Sequence, residues 1–116
     1  MNTTALFIID TDPRASGRPA EAVRIAAGIA VWKKIDVALY LRAAAILILA
    51  EFTDDLVDEE NYTRYLPILG EFPRPIYVQK GASTLSQLGQ SVLLFQEISD
   101  AELALMAAKN SCILRF

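Results

Sequence analysis

The stretch Ala5-Leu6-Phe7-Ile8-Ile9-Asp10-Thr11-Asp12-Pro13 decides how the rest of the chain is read. Five consecutive apolar residues of high β propensity stop at a polar turn that cannot prolong a strand. A strand without polar alternation is buried on both faces, which is the mark of a parallel sheet sandwiched between helices. Working outward, Pro19 suits the first turn of a helix, where its missing N–H has no partner to lose, and Glu21 adds favourable charge there. The helix expected over 19–34 is apolar nearly all round, with Val23, Ile25, Ala26, Ile29, Val31 and Trp32 on several sides. One sheet face cannot absorb so wide a surface, so a partner subunit is expected against it.

A second strand is expected over 36–41 and a helix over 43–51, from its alanine and leucine content. The acidic group Asp54, Asp55, Asp58, Glu59 and Glu60 opens a further helix carrying Tyr62, Tyr65, Leu66 and Leu69 at helical spacing. Pro67 is expected to kink that helix or end it early, and Gly70 supplies a stop. Strands follow over 75–79, 91–96 and 111–116, with a short helix up to Gly89 and an alanine-rich helix over 99–110. Ser99 and Glu102 form the capping-box pattern of that last helix. The order β-α-β-α-α-β-α-β-α-β implies an α/β fold: a single three-layer domain over 1–116, with a mainly parallel five-stranded sheet and helices on both faces.

Length and composition fit one domain with a sizeable core: 116 residues, 53% hydrophobic and 22% charged. A net charge of −3 and no basic stripe argue against a nucleic-acid surface. The most apolar window, 35–50, is interrupted by Asp36 and Arg42 and falls short of a membrane span. With one cysteine and no secretory pattern at the start, the cytoplasm is the expected compartment.

The absence of histidine removes Ser-His-Asp and Cys-His activation. There is no Walker loop, no G-x-G-x-x-G after the first strand and no CxxC, so no cofactor is expected. Asp10 with Asp12, and the cluster at 54–58, do not match a calcium loop, so no metal site is assigned. Cys112 sits within the last apolar strand and reads as a small core residue rather than a nucleophile. No catalytic residue is named.

Ligands of parallel α/β sheets bind beyond the carboxyl ends of the strands. The segments there supply Asp10, Arg14 and Arg18 after the first strand, Arg42 after the second, and Gln79, Lys80 and Ser83 after the third. Solvated loop charges are the plain reading of these residues. The functional reading is an anionic small molecule held by Arg14, Arg18 and Lys80 near helix N-termini.

The opening strand and loop before Pro19-Ala20-Glu21-Ala22, the segment Tyr77-Val78-Gln79 with its short helix to Gly89, and the ending from Glu102 to Phe116 together resemble the DsrE/DsrF-like family. That family includes sulfur-relay subunits of the TusBCD and DsrEFH kind, and the resemblance covers nearly the whole chain. In the sulfur-transferring members a cysteine directly after the third strand accepts persulfide sulfur; the matching position here is Gln79, which has no nucleophilic sulfur. The resemblance therefore implies an assembly or binding subunit without thiol chemistry, in a trimer or hexamer of itself or with paralogous subunits.

Overall fold

The computed structural model describes residues 3–72 and 74–116. Strand β1 (Thr3–Ile9) leads through a turn into α1 (Arg18–Trp32), which starts with Pro19 at its first positions, as the sequence predicts. Strand β2 (Ile35–Leu41) follows, then a 3-10 segment (Ala43–Leu49) and α2 (Glu59–Gly70). Strand β3 (Ile76–Gln79), a second 3-10 segment (Ser83–Gln87), β4 (Phe95–Ile98), α3 (Asp100–Lys109) and β5 (Cys112–Arg115) complete the chain. The sheet has five strands in the order β4-β3-β2-β1-β5, and every pairing is parallel.

Side-chain alternation along β1 divides the core in two. Ala5, Phe7 and Ile9 face α1, α2 and both 3-10 segments, whereas Leu6 faces α3 together with Ala38, Tyr40 and Ile98. One face is thus thickly covered. The other is covered by a ten-residue helix, α3, that contributes Leu103, Met106 and Ala107 to the packing and has no fully buried residue. The strand order follows from this arrangement. The connections from β1 to β4 step along the sheet on one side, and α3 then carries the chain back across the other side to the far edge, beside β1.

Several expectations shift. The segment after β2 is a 3-10 helix: Ala45 to Leu49 are all buried, and the Ala45 N–H bonds back to Arg42. Packing on every side overrides the α preference of alanine and leucine. Pro67 lies inside α2, which continues to Gly70 because Leu66 and Leu69 beside it are anchored in the core. The fourth strand begins at Phe95 rather than Ser91: Val92 N–H bonds to Leu49 O instead of joining the ladder. The polar residues Gln96 and Glu97 are accommodated because β4 is an edge strand.

Helix α1 buries Pro19, Ala20, Ala22, Val23, Ala26, Ala27 and Ala30, so α2 and the sheet absorb more of its apolar surface than the sequence suggests. What remains open is its C-terminal end, where Val31 and Trp32 are exposed. Leu105 on α3, with Ile113 and Leu114 on β5, adds a second exposed apolar group. Among the described residues no helix is long and apolar enough to cross a membrane.

Candidate functional site

Because the strands are parallel, their carboxyl ends share one rim. Asp10 follows β1, Arg42 follows β2, Lys80 follows β3, Ser99 follows β4 and Phe116 follows β5. The chain leaves β3 toward the face covered by α1 and α2, where Leu85 and Leu88 pack, and leaves β4 toward the opposite face, into α3. Connections that part to opposite faces leave a crevice between the ends of β3 and β4, whereas the strand order itself reverses between β1 and β5, at Asp10 beside Phe116. The crevice lies at Gln79 and Lys80 beside Ser99.

The end of β3 is braced by hydrogen bonds from side chains to backbone. Gln79 Oε1 accepts the Ala43 N–H at 3.0 Å, and Thr84 Oγ1 donates to Ala43 O at 2.8 Å. Ala43 needs this hold, since its φ of 52° is in the left-handed region that a side chain disfavours. Across the crevice, Gly81 N–H donates to Glu97 Oε1 at 3.1 Å, and Lys80 N–H to Ile98 O at 3.0 Å. Gly81 has a φ of 73°, which explains the glycine. The Lys80 side chain is exposed, as is Ser83, and Arg42 pairs with Asp100 at 3.4 Å. The Ser99 N–H donates to Glu102 Oε1, the main cause holding the Glu102 carboxyl below its usual value; Lys80 adds a smaller pull. Beneath Arg42 the Tyr40 phenol is buried, and burial raises its pKa.

The remaining predicted residues gather at the β1 and β5 ends. Asp12 binds Arg14 through Oδ1 to Nε and Oδ2 to Nη2, both at 3.0 Å, and this side-chain bonding keeps the Asp12 carboxyl below its usual range. Arg18 donates to Arg115 O at 3.2 Å and lies 5.8 Å from the Phe116 ring centroid. Asp10 pairs with Arg115 at 3.5 Å. The structure therefore joins Asp10 and Arg18 through Arg115 and Phe116, joins Gln79 and Lys80 to the β4 end, and turns Arg14 and Arg42 onto carboxylates of the chain itself. Glu97, Asp100 and Arg115 were missed in the sequence reading. The available signal was position, since each lies at or next to the end of a strand.

Cys112 departs from its expected place in the core. It is exposed, because β5 is an edge strand, and it pairs with Ala5 in the first half of β1, away from the rim. Among the described residues no group of three or more Asp, Glu, Cys or His is placed to hold a metal ion.

A five-stranded parallel sheet in this order is a three-layer α/β architecture and supports the DsrE/DsrF-like fold expected from the sequence. The chain superposes over 100% of its length on 100% of the ychN protein from E. coli, known from a crystal structure, with a TM-score of 0.79 and 18% identity. At that identity the likeness is one of fold. No family model matches the chain, and no curated protein matches it in sequence.

Proposed function

We propose that the protein is a non-catalytic DsrE/DsrF-like subunit, related to those of intracellular sulfur relays, that acts in assembly or binding within the cytoplasm. The observation that carries this reading is the state of Gln79. At the end of β3, where a transferring subunit would present a thiol, its side chain is spent on holding the Ala43 backbone. The single cysteine lies elsewhere, on the exposed edge strand. Exposed Trp32, Leu105 and Ile113 support an oligomer, since apolar side chains of this size are commonly covered by a partner.

Two measurements on the purified protein test it together. Light scattering should give a trimer or hexamer, and incubation with inorganic polysulfide followed by a thiol acceptor should give no transfer above the uncatalysed rate. Catalysed transfer that is lost in Cys112→Ser would overturn the reading, as would a stable monomer that also fails to bind paralogous subunits.

A second reading, an anionic small molecule at the strand ends, is favoured by Arg18 and Lys80. Neither has a carboxylate within ion-pair distance among the described residues. Phosphate or sulfate should then raise the melting temperature, and Arg18→Glu should abolish the rise; an unchanged rise would reject those contacts.

A further inference from the structure

Away from the strand ends, a cleft of about 370 Å³ opens between α2, the segment after the first 3-10 helix and the loop leading to β4. Its size falls in the range of small-ligand pockets, about 300–1,000 Å³. Ile48, Leu66, Val92 and Leu93 make its lining largely apolar. Its charged residues are all of one sign: Glu51, Asp54 and Glu59, with no lysine or arginine among the lining residues.

These carboxylates are not spent on the protein's own cations, since none of the ion pairs among the described residues includes them. Glu59 is held in place by Thr53 and Thr63, whose hydroxyls donate to its Oε1 at 3.3 and 3.2 Å. Among the described residues its Oε2 receives no hydrogen bond. Tyr62, on the same wall, is 2% exposed, and its hydroxyl has no partner among the described residues. Phe52, also in the lining, is 74% exposed.

We propose that this cleft binds a small organic cation: a protonated primary amine carrying an apolar chain. The amine would sit among Glu51, Asp54 and Glu59, and the chain would lie against Leu66 and Leu93. An anion is opposed by three uncompensated carboxylates, and a neutral apolar molecule would leave the fixed Glu59 oxygen unused.

The test is a titration of the isotope-labelled protein with hexylamine, followed by amide chemical shifts, with hexanoate and methylamine as controls for charge and chain. Saturable shifts are expected over 51–54 and 59–66, at concentrations about tenfold lower than either control requires. Glu59→Gln and Glu51→Gln should each weaken binding about threefold, the modest effect of one carboxylate at a solvent-exposed rim. Val92→Lys, at a half-exposed lining position, should abolish binding while leaving the remaining amide spectrum in place. Equal affinity for hexanoate, saturable shifts confined to other residues, or no saturable shift at all would overturn the proposal.

Discussion

Gln79 and Ala43, 36 residues apart in the chain, are joined by one hydrogen bond, from the Ala43 N–H to Gln79 Oε1 at 3.0 Å. It holds a residue with positive φ at the exit of β2 and binds the ends of two neighbouring strands. Gln79→Ala is expected to cost about 0.5–1.5 kcal/mol in chemical denaturation by replacing that exposed hydrogen bond with one to water. Ala43→Gly should instead stabilise by up to about 1 kcal/mol, since glycine tolerates this backbone without a Cβ penalty. A destabilising Ala43→Gly would show that the turn carries no strain.

Gly81 provides the mirror case. A Cβ there meets nothing within 4 Å, yet its φ of 73° disfavours any side chain. Gly81→Ala should therefore lose about 1 kcal/mol through the backbone alone. Gly81→Asn, which tolerates this region better, should recover part of the loss, whereas equal losses in the two variants would point to a different cause.

Acid should weaken the N-terminus of α3. The backbone N–H of Ser99 holds the Glu102 carboxyl below its ordinary 4.5, so the folded state binds that proton less tightly than the unfolded chain does. The capping contribution is complete above the unfolded value and disappears as pH falls through the lower folded one. Glu102→Gln should flatten the dependence of melting temperature on pH below about 4.5. Ser99→Ala should cost about 1 kcal/mol at neutral pH by removing the cap to the Glu102 N–H. An acid limb unchanged in Glu102→Gln would assign the effect to other carboxylates, with Asp12 beside Arg14 the next to examine.

The Tyr62 hydroxyl is buried without a partner among the described residues, and burial drives its pKa up. Removing such a group discards a desolvation penalty, so Tyr62→Phe should leave stability unchanged or raise it by about 1 kcal/mol. A loss of comparable size would reveal a hydrogen bond made through ordered water.

Labelling kinetics at Cys112 would locate the surface used in assembly. The thiol is exposed on β5, so in an isolated chain it should react with a thiol reagent at nearly the rate of the denatured protein. Protection that grows with protein concentration would put the contact at the β5 edge; a constant fast rate in a proven oligomer would put it elsewhere, at another exposed apolar group such as the end of α1 around Trp32 or the segment of Leu94 and Phe95.

The amino-acid sequence makes legible the succession of strands and helices, the parallel character of the sheet and the start of α3. Such features are written locally: an unbroken apolar run such as Ala5 to Ile9, a proline in the first turn of a helix, a serine three residues before a glutamate. It also indicated Gln79 and Lys80 at the end of β3, because the polar stop of a strand can be read residue by residue. The rest follows from packing between distant segments. The segment Ala43–Leu49, buried from Ala45 onward, is a 3-10 helix against its α propensity, and bonding of Val92 to Leu49 delays β4 to Phe95. The place of β5 at a sheet edge exposed Cys112, which an apolar strand pattern had assigned to the core. The ion pair of Asp10 with Arg115 spans 105 positions, and the bond of Gln79 to Ala43 spans 36. Local patterns report which face of an element is apolar. Whether a strand is central or at an edge, and which strand ends meet, depends on contacts between distant segments that no short window of sequence contains.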